Sequence, residues 1–219
     1  MKTIVRTLLE SVKKTKEFEE KYDLSLPKDV TNSQLSDLKK AFSYLPESFI
    51  KHHIKKITFK DLGAIHGRYI QERKKGDIII NPSIFENKKY FSVEGKKIPV
   101  KYFTIVHEIG HMIDHLNSIS NKKEWIDLSG WKELDKNKSV PKGFKRYVEK
   151  RSGRDIPGHK KSEWIHKEDA EFVRNYASKN PKEDFADTFS FIVLGKNLKF
   201  QDKGNKKVDI IKNLLNKHK

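Results

Sequence analysis

Apolar side chains at Ile4, Val5, Leu8, Leu9, Val12 and Phe18 keep to one helical face and predict an amphipathic helix over residues 2–21. Thr31-Asn32-Ser33 opens a second helix through Leu35, Leu38, Phe42 and Leu45, which Pro46 closes. The period then changes. Ile54-Lys-Lys-Ile-Thr-Phe59 alternates like a strand, and Arg68-Tyr-Ile-Gln71 and Asp77-Ile-Ile-Ile80 flank a Lys-Lys-Gly turn as a hairpin would. Tyr90 to Val93, Glu94-Gly95 and Lys97-Ile98 read as a further strand and turn. From Pro99 to about Asn117 the helical period returns in the most apolar stretch of the chain. Ile105, Ile109, Met112, Ile113 and Leu116 form its stripe, with His107, His111 and Asp114 together on the other side. Residues 118–165 are broken by glycines and read as loops, and 167–178 read as helical. Asn180-Pro181-x-Glu183 has the cap, the proline and the first-turn acid of a helix start, and Gly195 is placed to end that helix. Val208 to Leu215 close the chain as an amphipathic helix.

This order implies an α+β fold. An N-terminal helical layer over residues 1–50 packs on the same domain as residues 51–219, which carry a small mixed sheet, the helix over 99–117 and a mainly helical C-terminal part. A chain of 219 residues suits one sizeable core, and neither a repeat nor a separating linker divides it.

Composition narrows the functional classes. Cysteine is absent, which excludes disulfides and thiolate metal sites. The net charge of +17 invites a nucleic-acid reading, but only seven of the 47 basic residues are Arg. Lys supplies diffuse charge rather than bidentate contacts, and these lysines are scattered in ones and twos, which argues against a dedicated nucleic-acid surface. The apolar run after Arg6 ends at Glu10, too soon for a secretory signal, and no window approaches a membrane span. A cytoplasmic protein is expected of the chain as written, or a secreted one if a leader has been removed.

His107-Glu108-Ile109-Gly110-His111 matches H-E-x-x-H. On a helix the two imidazoles share a face one turn apart and can reach one ion, while Glu108 sits beside them to take a proton from water. A catalytic zinc needs a third protein ligand and an open position. His115 lies about 12 Å along the axis from His107, too far to share a tetrahedral ion. Asp114 and Asn117 occupy the later places of the longer H-E-x-x-H-x-x-G-x-x-H pattern, so that pattern fails. A carboxylate from another helix remains. Glu183 and Asp187 stand four apart, so Glu183 can bind the metal while Asp187 accepts a hydrogen bond from a ligand histidine. The alternatives are that Glu183 only favours its helix N-terminus, or that Asp184, His159, His166 or Glu163 supplies the third ligand. Three hard or borderline ligands with an open position favour one Zn2+ per chain.

HEIGH followed by an ExxxD helix resembles the gluzincin metallopeptidases. The segment from Tyr176 to Phe189, YASKNPKEDFADTF, is similar to the catalytic domain of anthrax lethal factor and its relatives, which include the Pro-Pro endopeptidases. Those proteins place a tyrosine seven residues before the glutamate ligand, where Tyr176 stands. The resemblance implies a zincin-like domain in which His107, His111 and Glu183 hold zinc, Glu108 is the general base, Tyr176 steadies the oxyanion and Asp187 supports a ligand from behind. It covers two segments, and the separation of 72 positions from His111 to Glu183 is long for this group, so an insertion near the cleft is expected.

The expected function is therefore a zinc-dependent endopeptidase acting on a protein or peptide substrate. An extended substrate is expected to lie along an edge strand at Ala64 to Ile70, with His66 there an incidental surface residue. The alternatives are a degenerate zinc-binding protein without hydrolytic activity and a basic protein that binds nucleic acid or a partner.

Overall fold

The helical periodicity of the first fifty residues produces three helices: α1 (Lys2–Tyr22), α2 (Asn32–Phe42) and α3 (Glu47–His53). The structure is a computed structural model and describes residues 2–71, 75–93, 96–148, 150–151, 154–155, 161–195, 200 and 202–217. A capping box starts α2, with the Thr31 side chain taking the Gln34 N–H and the Gln34 side chain taking the Thr31 N–H. Pro46 does more than end a helix. It also caps α3, whose Phe49 and Ile50 are fully buried. Phe18, Tyr22 and Phe42 pack their rings within 5.5 Å of one another and anchor α1 on α2.

Next come β1 (Ile54–Phe59), β2 (Gly67–Gln71) and β3 (Gly76–Ile80). β3 is central, parallel to β1 and antiparallel to β2, so the sheet is small and mixed. The hairpin between β2 and β3 has the expected register, and Lys74 of the expected turn lies outside the described residues. After α4 (Ser83–Glu86), β4 (Tyr90–Val93) and β5 (Lys96–Pro99) pair antiparallel, and the expected Glu94-Gly95 turn also lies outside the described residues.

α5 (Val100–Asn117) is the central helix. Ile105, Ile109, Met112 and Ile113 are wholly buried. Its N-terminal half is tied to α2 by Lys101, whose Nζ lies 2.6 Å from the Asp37 carboxylate. Asp114 is turned to structural use, accepting the Ser120 N–H and Oγ–H at 2.6 Å each.

The rest of the chain comprises α6 (Lys123–Ser129), β6 (Lys132–Glu133), β7 (Phe144–Val148), β8 (Lys150–Arg151), β9 (Arg154–Asp155), β10 (Lys161–Lys167), α7 (Pro181–Val193) and α8 (Asp202–Asn216). The structure departs from expectation in this part of the chain. Residues 118–165 are not simply loops: they hold α6 and contribute to an antiparallel sheet of order β6-β10-β7. Its strands are short and bury little beyond Tyr147, Ile165 and His166, so their period is masked by lysine and arginine. Residues 167–178 do not form an α-helix. Lys167 ends β10, a turn follows with the Ala170 N–H on the Lys167 carbonyl at 3.1 Å, and only Asn175–Lys179 are helical, as a 3-10 helix. The backbone is held by a distant side chain instead, with Lys207 Nζ donating to the Glu171 carbonyl at 3.0 Å. The C-terminal part is thus mixed rather than mainly helical.

α7 begins and ends as its sequence predicts. The Asn180 side chain accepts the Glu183 N–H at 2.9 Å, Pro181 occupies the first turn, and Gly195 follows the helix with φ +75°. It packs directly on α5. A Cβ added to Gly110 would lie 3.0 Å from Ala186 Cα, so the glycine is what allows the two helices to approach. Among the described residues no helix is long and apolar enough to cross a membrane.

Candidate metal centre

The Gly110–Ala186 contact sets two imidazoles of α5 against one carboxylate of α7. His107 Nε2 and His111 Nε2 each lie 3.2 Å from Glu183 Oε2. The three donor atoms all fall within 4.8 Å of one another, a group that can hold a metal ion. Two ligands about 2.0 Å from a tetrahedral ion stand roughly 3.3 Å apart, so the spacing fits. Glu183 Oε2 is buried and meets no donor along a hydrogen-bond line, although two ring nitrogens are within reach. A buried carboxylate oxygen at that position calls for a cationic partner, which a metal ion or a protonated imidazole would supply. The set of two imidazoles and a carboxylate suits zinc chemically.

The surroundings fix these candidate ligands. Glu183 uses its other oxygen, Oε1, to accept the Tyr176 hydroxyl at 3.2 Å. His107 Nδ1 faces Asp187 Oδ1 at 2.9 Å, with the ring turned off the ideal line. Asp187 is fully buried and is gripped by Arg174, Nε to Oδ2 at 2.6 Å and Nη2 to Oδ1 at 2.7 Å. Arg174 is itself stacked on Phe91, Phe103 and Tyr176, with its guanidinium carbon within 5.0 Å of each ring centre.

Burial and charge act in opposite directions on these groups. On Glu183 burial opposes ionisation, but the imidazoles of His107 and His111 prevail and hold its carboxyl well below the usual range. On His107 burial opposes the charge, while the Asp187 and Glu183 carboxylates outweigh it and raise the imidazole to about 10. Burial pushes the Glu108 carboxyl up, opposed in part by both imidazoles and by a hydrogen bond from the Tyr69 backbone N–H. Burial, followed by the Glu183 charge, pushes the Tyr176 hydroxyl up, so it remains a donor at neutral pH.

Glu108 is covered from the sheet side by Gly67, where an added Cβ would meet Glu108 Cγ at 2.7 Å. The His66 carbonyl accepts the Asn81 N–H at 2.9 Å on the β3 side. By the two-residue alternation of an antiparallel ladder, Gly67 and Tyr69 turn their peptide groups to the other edge. That edge borders a cleft of about 780 Å³ whose walls include Gly67, His107, Glu108, His111, Tyr176 and Glu183.

The remaining candidate ligands lie elsewhere. Asp184 is a core acid, bonded by Lys207 Nζ at 2.8 Å and by Trp131 Nε1 at 3.3 Å. His166 packs on Trp131 and Phe172, and Glu163 is exposed on β10. His115 is exposed beside Tyr69, and His66 is exposed at the mouth of the cleft. His159 lies outside the described residues. Sequence reasoning missed Arg174. Its signal was there: it is one of seven arginines in a chain that otherwise uses lysine, two residues before Tyr176. Comparison with protein-family models, with curated proteins and with solved structures returns no match.

Proposed function

We propose that this chain is a zinc-dependent endopeptidase of gluzincin type, with a zincin-like arrangement of sheet edge, motif helix and glutamate helix. The observation that carries the reading is Glu183 Oε2, buried, without an aligned donor and 3.2 Å from the Nε2 atoms of both motif histidines. Zinc held by His107, His111 and Glu183 would supply Lewis acidity and make water a nucleophile at neutral pH.

The protein's own groups do the rest. Asp187 fixes the tautomer of His107, leaving Nε2 free as a ligand, and Arg174 holds Asp187 in place. Glu108 takes the proton from the attacking water, and its burial makes it a better base than an exposed glutamate. Tyr176 turns its hydroxyl from Glu183 Oε1 toward the carbonyl oxygen as negative charge develops there. An extended peptide adds to the outer edge of β2 through Gly67, which brings its carbonyl over the two imidazoles. Glycine is needed at that place because a side chain would collide with Glu108.

The test is a peptide library incubated with zinc-loaded wild type and with Glu108→Gln. Cleavage by the first and none by the second, at equal zinc content, supports the reading. Undiminished cleavage by purified Glu108→Gln defeats the assignment of the base.

A further inference from the structure

The rim of this cleft holds more positive charge than its own acids neutralise. Glu183 faces the imidazoles, Glu108 is tied to the Tyr69 N–H, and Asp114 is bonded to Ser120. Against them stand Arg68 on the β2 wall and Lys182 on the α7 wall, both exposed and both lining the cleft. Among the described residues neither has an ion-pair partner. Lys179 adds a third cation, with Nζ 3.9 Å from Glu183 Oε1 and its side chain 41% exposed. An extended chain added to β2 would therefore pass between cations on two walls.

We propose that the cleft selects peptides carrying Asp or Glu side chains close to the bond held over the metal group, with Arg68 and Lys182 as the residues that read them. The inference rests on the peptidase reading. Charge complementarity of this kind acts on selection and encounter more than on raw affinity. It is local, and so differs from the diffuse attraction of a chain with net charge +17. The open edge of β2 beside the cleft favours an extended peptide, which can extend the ladder by main-chain pairing as a nucleic acid cannot.

The experiment uses labelled peptides of one backbone flanked by Glu, Gln or Lys. Fluorescence anisotropy reads their binding to zinc-loaded Glu108→Gln, and turnover is read with wild type. The expected order is Glu, then Gln, then Lys, with roughly tenfold separating the extremes at low salt. Arg68→Gln with Lys182→Gln should abolish the order, and Arg68→Glu with Lys182→Glu should reverse it, zinc content serving as the control for an intact site. Lys13→Glu with Lys14→Glu, an equal change of charge on the exposed face of α1, should preserve it. Equal binding of the three peptides, no binding of any, or equal loss of the order in the α1 variant would overturn the proposal. Displacement of the acidic peptide by tighter, Arg68-dependent binding of single-stranded RNA would overturn it too. Binding in the expected order without cleavage by wild type would instead sink the peptidase reading and leave the preference of the cleft standing. Cleavage indifferent to flanking charge would do the opposite.

Discussion

Gly110 and Ala186 meet backbone to backbone, with room for only a hydrogen between them: a Cβ on Gly110 would sit 3.0 Å from Ala186 Cα and 3.2 Å from its carbonyl oxygen. The motif glycine therefore sets the separation of α5 and α7, and with it the distance from the histidines to Glu183. Gly110→Ala should force the helices apart by a few tenths of an ångström and weaken zinc retention, and Gly110→Val should do so more strongly. Chelator competition measures the effect. Unchanged zinc affinity in folded Gly110→Val would show that this contact does not set the site.

Arg174 is predicted to act on the metal through Asp187. Arg174→Met leaves a fully buried carboxylate without its bidentate partner, and zinc affinity should fall by about 10- to 100-fold. Arg174→Lys should recover only part, since an ammonium cannot span both oxygens. Isothermal titration with zinc distinguishes these variants. Affinity equal to wild type in Arg174→Met would remove Arg174 from the account.

A second buried pair is structural. Lys207 is 1% exposed and bonds Asp184, which is wholly buried, at 2.8 Å. Lys207→Met should cost about 3–5 kcal/mol because it strands the acid, and adding Asp184→Asn should recover part of that loss. Denaturant unfolding reads both. Zinc affinity in whichever variants remain folded should stay close to that of wild type, because Asp184 does not face the metal group.

In the metal-free protein His107 keeps its proton up to about 10, above the ordinary value of 6.5. Its contribution to metal-free stability is therefore complete below 6.5 and fades as pH rises toward 10. A ligand imidazole must be neutral, so zinc displaces that proton and binds more tightly as pH rises, by about tenfold per unit across this window. Zinc competition at several pH values, with proton release followed in weak buffer, tests the slope. Affinity independent of pH between 6.5 and about 8 would contradict it.

What could be read in the chain was whatever has a short period or a fixed spacing. α5 and α7 were visible because each has an apolar stripe with local end signals, and the pairing of His107 with His111 follows from helical geometry alone. Glu183 was within reach because the Asn180-Pro181 start fixes the helix that carries it. The sheet β6-β10-β7 was hidden because its strands expose charged residues on both sides of a few buried ones. Phe172, Val173 and Tyr176 mimic a helical stripe, but Phe172 packs against Trp131 and His166, and Tyr176 turns to Glu183. Arg174 could not be assigned from spacing, because its role depends on a carboxylate 13 residues away that only the turn over Asn175–Lys179 brings beside it.

The central claim is that His107, His111 and Glu183 hold one zinc ion. Untagged protein purified without chelator, supplied with zinc and dialysed, should contain about one zinc per chain by elemental analysis, and Glu183→Ala should retain far less. Folded wild-type protein that holds no zinc after this treatment would contradict the account.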